Sequence, residues 1–292
     1  MIKCLFTILA IILTSLDSNL YAQDNNAKTQ SIRHLKDNVR LLINQKDSAR
    51  YVEPDLKYET VKKANEQLAV GIIAYAEAIP DFIEKESSNT TSLIHDLYNA
   101  SSNDKKLCIV SWDDGSGGTV RNYNYIIFWN AGGKLEHKAL VSCIEDSAEV
   151  SHIYFTHIDS VVHVKQNSGD DLYLVMGSIF SKPSFFNQHV FCYGITTSGK
   201  FINDAVVFKA DNKTSPEISV VCPTYRNKDG SMNFYHLMHL DINKQVLYVP
   251  VFPDGKSQQE KEAEKNDITG KRKFPYIMYR FDGTYFVYGK KQ

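Results

Sequence analysis

The chain has 292 residues, 43% of them hydrophobic, and its 33 lysines and arginines nearly balance its 34 aspartates and glutamates. A chain of this length can bury a core in one large domain or in two smaller ones. The formal net charge of −1, without clustered basic residues, argues against nucleic acid and acidic membrane surfaces as partners.

The first residues of the chain predict export. Lys3 supplies a positive charge, a run that is apolar at all but one position follows from Cys4 to Leu13, and small and polar residues lead to Ala22. This order is typical of a secretory signal peptide, and about ten apolar residues are too few for a membrane-spanning helix, which needs about 20. We therefore predict a signal peptide over residues 1–22, cleaved near Ala22. The mature protein is expected to be soluble, periplasmic or secreted, and without an integral membrane anchor.

Residues 23–106 are predicted to form a helical segment. Apolar side chains recur at intervals of three and four residues in two stretches, which places them on one face of each helix. These side chains are Ile32, Leu35, Val39 and Leu42 in the first helix, and Val61, Ala64, Leu68, Ile72 and Tyr75 in the second. The second helix is expected from Pro54 to about Ala78, and a short third helix from Ser92 to Asn99.

Residues 107–292 are predicted to form an antiparallel β domain, because the hydrophobic period changes at Leu107. Three stretches share one layout of strand, polar loop, strand, tight turn and strand, which indicates weak internal repetition. Their predicted strands are Leu107–Trp112, Tyr123–Trp129 and Leu135–Val141; Leu172–Ser178, His189–Thr196 and Phe201–Phe208; and Ile218–Pro223, Asn233–Leu240 and Val246–Phe252. Two more hairpins are predicted, namely Ile153–Ile158 with Val161–Gln166, and Tyr276–Phe281 with Thr284–Tyr288.

The leading strands of the first two stretches predict how the body is layered. In the second stretch, Leu172 and Leu174 lie on one face of the strand, and Tyr173 and Val175 lie on the other. A strand that is hydrophobic on both faces is covered on both faces. We therefore predict an α+β protein, in which an N-terminal helical segment precedes a predominantly antiparallel β body. The body is either a propeller-like stack, which we prefer, or a sandwich meander.

The most distinctive loop is the stretch SWDDGSGGT at residues 111–119. A serine-protease nucleophile loop needs Asp directly before its serine, where Gly115 stands, and a phosphate cradle needs a helix where a strand is expected. Calcium is not favoured, because the adjacent Asp113 and Asp114 do not alternate as ligands in a calcium loop do. The remaining interpretation is a glycine-rich turn in which Asp113 caps its own backbone and Trp112 packs in the core.

The same stretch carries a resemblance. The run S-W-D-x-G-x-G-G-T is present as Ser111, Trp112, Asp113, Gly115, Gly117, Gly118 and Thr119. It resembles a motif of uncharacterised exported bacterial proteins, in which a helical segment precedes the motif and a β-rich part follows it. The resemblance covers about residues 80–220. It implies this layout, but no established activity and no catalytic residue.

Four cysteines follow the predicted signal peptide, and none of them belongs to a CxxC pair that would indicate a thiolate metal site. They are Cys108, Cys143, Cys192 and Cys222. Export permits two disulfides, but three of these cysteines lie inside hydrophobic strands, where a thiol packs as a small apolar group. We therefore prefer buried thiols to disulfides.

Three histidines, at positions 152, 157 and 163, are close enough in sequence to suggest a zinc site. If the hairpin turns at residues 159 and 160, His152 and His163 share one face and His157 lies on the other, so the three do not converge. We predict no metal and no other cofactor.

A glycosidase needs two carboxyl groups about 5 to 9.5 Å apart. Asp113 and Asp114 follow a leading strand, whereas Asp170 and Asp171 precede one, so these two pairs are predicted to lie at opposite ends of the body. Asp170 is expected in the turn at residues 167–170. Other carboxylates, such as those of Asp204 and Glu217, remain open as a pair.

We predict a non-catalytic exported protein whose β body binds a glycan or an envelope protein. No nucleophile, base or metal set converges, and aromatic residues are abundant. The predicted ligand site comprises Trp112, Asp113, Asp114 and Arg121. Two alternatives stay open: a secreted or periplasmic hydrolase that acts on polysaccharide through paired carboxylates, and a structural or inhibitory module whose helices dock onto a partner.

Overall fold

The computed structural model describes residues 28–88, 97–115, 123–141, 157–182, 185–223, 225–226, 232–233, 238–251 and 276–289. The chain divides into two compact units, Met1–Phe82 and Ile83–Gln292. The described part of the first unit is helical, and every described strand belongs to the second unit.

Two long helices form the described part of the first unit, as predicted. Helix α1 covers residues 28–49 and helix α2 covers Pro54–Ala78. All five side chains of the stripe predicted in α2 are buried, among them Leu68 and Ile72. Of the stripe predicted in α1, Val39 is buried, whereas Ile32, Leu35 and Leu42 are partly exposed. A side chain at Gly71 would meet Leu42 Cδ1 at 2.6 Å, so this glycine allows the two helices to approach closely. In the described ranges, every helix lacks the length or the apolar composition needed to cross a lipid bilayer.

The third predicted helix, Ser92–Asn99, is wrong at its described end. Tyr98 begins strand β1, Tyr98–Ser101, which pairs antiparallel with the next strand. Its helical periodicity was short, and pairing with a neighbouring strand overrides such a weak local preference. Residues 89–96 lie outside the described residues. Helix α3, which the sequence did not predict, covers Phe82–Ser88.

Sheet A has the strand order β1-β2-β3-β4. Its further strands are β2 (Leu107–Asp113), β3 (Tyr123–Ala131) and β4 (Lys134–Leu140). These strands match the first predicted stretch to within two residues. The turn between β3 and β4 holds Gly132 and Gly133 at φ of 58° and 84°, a region that glycine enters without steric cost.

Sheet B has the order β11-β7-β6-β5, and β8 pairs with β7. Its strands are β5 (His157–Lys165), β6 (Asp171–Lys182), β7 (Phe185–Ile195), β8 (Phe201–Ile202) and β11 (Glu217–Pro223). The leading strand of the third predicted stretch is therefore β11, a partner of β7. The third strand of the second stretch shortens to β8. The three stretches are not three equivalent sheets.

The hairpin predicted to turn at residues 159 and 160 is wrong. Strand β5 runs through this point with a bulge between Ile158 and Ser160, and the chain turns at residues 166–170. A bulge absorbs one extra residue without ending the ladder. The actual turn contains Gly169 at φ 92°, and the predicted turn contains no glycine. Asp170 lies in this turn, as predicted, and its carbonyl oxygen accepts the Gln166 N–H at 3.0 Å.

Sheet C has the order β10-β9-β17-β16-β15-β14. Its strands are β9 (Phe208–Ala210), β10 (Lys213–Ser215), β14 (His239–Asp241), β15 (Val246–Pro250), β16 (Tyr276–Phe281) and β17 (Phe286–Gly289). The closing hairpin is confirmed as β16 and β17. The strand pairing in sheet C is antiparallel except between β17 and β9. A short pair, β12 (Tyr225–Arg226) and β13 (Met232–Asn233), stands apart from the three sheets.

Sheet B lies between the other two sheets and shares a hydrophobic core with each. Leu172 and Leu174 of β6 pack in a cluster with side chains of sheet C, and Tyr173 and Val175 pack in a cluster with side chains of sheet A. The predicted cover on both faces of this strand is confirmed. The α+β class is also confirmed, with helices before antiparallel sheets. The layers take the sandwich form of the prediction, and a propeller is not shown.

The cysteines of the described strands are buried thiols, as preferred from the sequence. Cys108, Cys192 and Cys222 are free. Burial raises the pKa of the Cys108 and Cys222 thiols to about 12 and also raises the pKa of Cys192. Cys143 lies outside the described residues.

Candidate functional site

The ligand site predicted at the end of β2 is described for three of its four residues. Trp112 and Asp114 are each 1% exposed. The Asp113 carboxylate accepts the Gly115 N–H at 2.9 Å, so it caps its own turn. Arg121 lies outside the described residues. Trp112 thus packs in the core and Asp113 caps its own turn, as the alternative interpretation of this loop predicts. The ligand site itself stays a prediction.

A polar pocket of 570 Å³ lies at the other end of sheets A and B. Its walls are the turn between β3 and β4, the turn between β5 and β6, the turn between β7 and β8, and the residue before β2. Four glycines line it: Gly132, Gly133, Gly169 and Gly199. Its polar lining includes Lys106, Asn130, Lys165, Asp171, Tyr173 and Ser198. We call this cavity the hairpin pocket.

The hairpin pocket is remote from the predicted site. Lys106 directly precedes β2, whereas Asp113 ends it, so roughly 20 Å of extended strand separate them at about 3.3 Å per residue. Asp171 lines the same pocket as Lys106. Asp113 and Asp171 therefore lie at opposite ends of the sheets, as the sequence predicted for their two pairs.

Contacts between turns of different strands hold the pocket together. The Trp129 indole N–H donates to the Gly199 carbonyl oxygen at 3.2 Å, and the Trp129 ring stacks on Phe201 with centroids 4.8 Å apart. The Asp170 carboxylate accepts the backbone N–H of Thr197 at 3.0 Å. These contacts join the β3–β4, β5–β6 and β7–β8 hairpins, so the pocket is built by structure that is distant in sequence.

Asp171 is the charged centre of the pocket wall. Its Oδ1 atom lies 2.6 Å from His163 Nε2 and 2.8 Å from Lys165 Nζ. Burial acts to raise the pKa of Asp171, but the hydrogen bonds from Lys165 and His163 outweigh burial, and the pKa lies below its ordinary value. The carboxylate is therefore ionised at neutral pH and engaged by two donors.

A second carboxylate lies behind this wall. Asp104 Oδ2 is 3.5 Å from His163 Nδ1 and accepts the Tyr173 hydroxyl at 3.2 Å, while Asp104 Oδ1 accepts the Ser102 hydroxyl at 2.6 Å. The backbone N–H of His163 donates to Asn103 Oδ1 at 2.7 Å. Burial, with the negative charge of Asp104, raises the pKa of Tyr173. The loop between β1 and β2 is thus tied to β5 and β6.

The two carboxylates do not form a metal site. Asp104 and Asp171 meet different nitrogens of one imidazole ring, so they lie on different sides of His163. Across the part of the chain that the structure describes, no three His, Cys, Asp or Glu side chains are placed to hold a metal ion. His163 pairs across the sheet with Tyr173. His152, and the side chain of His157, lie outside the description.

Sequence reasoning missed this grouping because it placed the turn seven residues too early. With the turn at residues 166–170, Lys165 pairs with Asp171 and His163 pairs with Tyr173. Alternation then places all four side chains on one face of the hairpin. The glycine at position 169 was the signal that would have located the turn.

An apolar groove of 470 Å³ lies between α1 and α2 in the first unit. Leu41 and Val70 line it and are 54% and 67% exposed. This groove is the feature of the described helices that fits the docking alternative.

Comparison with protein-family models, with curated proteins and with solved structures gives no significant match for this chain. The function is therefore argued from the geometry of the hairpin pocket.

Proposed function

We propose that this protein is an exported, soluble, non-catalytic binding module that holds a glycan in the hairpin pocket. The observation that carries the proposal is the pocket itself: an open, polar cavity of 570 Å³ lined by three hairpin turns. Small-molecule sites fall in the range of about 300 to 1,000 Å³ and use a few placed polar groups for orientation. A polar segment of an envelope protein is the other ligand for which this surface is suited.

The lining supports a sugar because it offers both kinds of hydrogen-bonding group. Lys106, Asn130 and Lys165 provide donors, Asp171 provides an acceptor, and the Ser198 hydroxyl can act as either. Each sugar hydroxyl both donates and accepts. Gly132 and Gly133 have open space where a side chain would lie, so a ligand can approach the main chain of the β3–β4 turn.

Binding is favoured over hydrolysis by the state of the carboxylate. A glycosidase acid keeps its proton through a raised pKa, and a second carboxyl group stands across the scissile bond. Asp171 is the one carboxylate among the described lining residues, and its pKa is lowered. Asp104 lies behind the imidazole ring of His163. The hydrolase alternative therefore lacks its acid in this pocket.

A blocking variant tests the proposal. Ser198 is exposed in the turn between β7 and β8, so Ser198→Tyr places a ring in the pocket without disturbing the core. Thr214→Tyr, on exposed strand β10, is the matched control. Glycan-array screening of the exported chain, followed by calorimetry on the best ligand, should show binding that Ser198→Tyr weakens at least tenfold and Thr214→Tyr leaves unchanged.

Two results would contradict the proposal. One is the absence of binding to any glycan or envelope fraction by a chain whose circular dichroism shows a folded β protein. The other is equal binding by wild type and Ser198→Tyr, which would place the ligand elsewhere.

A further inference from the structure

The charges that line the hairpin pocket are unbalanced. Lys106 and Lys165 line it as cations, and Asp171 is the single carboxylate of the described lining. Lys165 Nζ lies 2.8 Å from Asp171 Oδ1, so these two charges compensate each other. Lys106 is therefore the cation of the described lining that stays available to a ligand.

Two further carboxylates lie near the pocket but do not line it. Asp104 accepts from the hydroxyls of Ser102 and Tyr173. Asp170 accepts the N–H of Thr197 with Oδ1 and the hydroxyl of Ser168, at 3.2 Å, with Oδ2. Both are hydrogen-bonded to donors of the protein, and neither belongs to the described lining.

The two lysines approach the cavity from different sheets. Lys106 precedes β2 of sheet A, and its carbonyl oxygen accepts the Asn130 N–H at 3.0 Å, which fixes its backbone beside the β3–β4 turn. Lys165 ends β5 of sheet B, and its side chain is 53% exposed. Because Lys165 is paired with Asp171, Lys106 is the one of the two that a ligand can engage without breaking that ion pair.

We propose, resting on the glycan-binding function above, that the ligand is an acidic sugar, whose carboxylate or sulfate meets Lys106 while its hydroxyls meet the uncharged lining. Carboxylate and sulfate are alternative forms of the same anionic chemistry. A single anionic group among hydroxyls matches one surplus cation among neutral donors and acceptors.

Calorimetry on the exported chain with three probes of similar size tests the ligand class. The probes are tri-galacturonate, which carries carboxylates, a sulfated galactose trimer, which carries sulfates and no carboxylate, and a neutral galactose trimer. We expect at least one acidic probe to bind at least tenfold more tightly than the neutral trimer. Its affinity should fall as salt is raised from 20 to 300 mM, since salt screens charges about 10 Å apart at roughly 0.1 M.

Lysine variants identify the cations involved. Lys106→Gln should weaken the acidic probe roughly fivefold, the loss of an exposed charge contact of about 1 kcal/mol, and leave the neutral trimer unchanged. Lys213→Gln, on exposed strand β10 of sheet C, is the charge-matched control and should change neither.

The outcomes separate the two proposals. Neutral and acidic probes that bind equally, with Lys106→Gln unaffected, would overturn the acidic class while glycan binding stands. Failure of all three probes, together with an empty glycan array, would overturn both. Preference for one acidic probe supports the inference and distinguishes carboxylate from sulfate.

Discussion

The indole N–H of Trp129 donates to the carbonyl oxygen of Gly199 at 3.2 Å, across the boundary between sheets A and B. The two residues are 70 positions apart in sequence. This bond holds the β7–β8 turn against the end of β3 and so forms one wall of the hairpin pocket. Close approach of the two hairpins depends on the absence of a side chain at Gly199.

Replacing Gly199 should therefore destabilise the protein. Its φ is 83°, which L residues rarely adopt, and an added Cβ would lie 2.8 Å from the Ala131 Cβ. We expect Gly199→Ala to lower the free energy of unfolding by about 2–3 kcal/mol, measured by urea denaturation. Gly132→Ala is the control, because its φ is 58° but the space around it is open, and it should cost only about 1 kcal/mol. Equal losses in the two variants would show that the contact with Ala131 is unimportant.

Removing the charge of Asp171 should also destabilise the protein. The side chains of Asp171 and His163 are only 17% and 19% exposed, so Asp171→Asn leaves a largely buried imidazole without its ionised acceptor. We expect a loss of about 1–3 kcal/mol in the free energy of unfolding. Glu136→Gln breaks the more exposed pair with Lys134 and should change stability little. If the free energy of unfolding of Asp171→Asn equals that of the wild type, the wall of the pocket holds together without this carboxylate.

The contribution of Asp171 should depend on pH in a defined direction. Because its pKa is lower in the folded protein than the ordinary 3.8, its stabilisation is fully present above that value and is lost as the pH falls through the folded pKa. The difference in unfolding free energy between wild type and Asp171→Asn should therefore be present at pH 5 and shrink below about pH 4. Urea titrations from pH 6 to pH 3 measure this. A difference that grows on acidification below pH 4 would contradict it.

The buried thiols should be unreactive in the native state. Burial raises the pKa of Cys108 and Cys222 to about 12, and the thiolate is the form that attacks disulfide reagents. In a background with Cys4→Ala and Cys143→Ala we expect Ellman's reagent to modify almost no Cys108, Cys192 or Cys222 until denaturant is added. Rapid modification before unfolding would show that these strands open far more often than their burial indicates.

The local elements of the fold were predictable because their signals are short-range. Apolar spacing located both long helices, and hydrophobic runs located β2 and β3 to within two residues of their ends. The turn at Gly132 and Gly133 was visible because positive φ selects glycine. The turn predicted at residues 159 and 160 is wrong, because polar residues at a bulge in β5 have the same sequence pattern as a turn.

The candidate site was not predictable in the same way. Lys106 precedes β2 of sheet A, whereas Lys165 ends β5 and Asp171 begins β6 of sheet B. The pocket exists only because the ends of those two sheets are aligned. The Trp112 loop was conspicuous in sequence, yet Trp112 is buried. An unusual loop composition can reflect the backbone conformation of a turn as readily as it reflects a ligand site.

The sequence by itself determined the two long helices, most of the extended segments, and which strands are hydrophobic on both faces, since each property depends on neighbours a few residues apart. Only the tertiary structure decided that β11 joins β7, that β9 pairs parallel with β17, and that three hairpin turns line one cavity. Strand pairing satisfies backbone hydrogen bonds with any extended partner. Burial of the two cores selects among those partners, and burial depends on all the layers together.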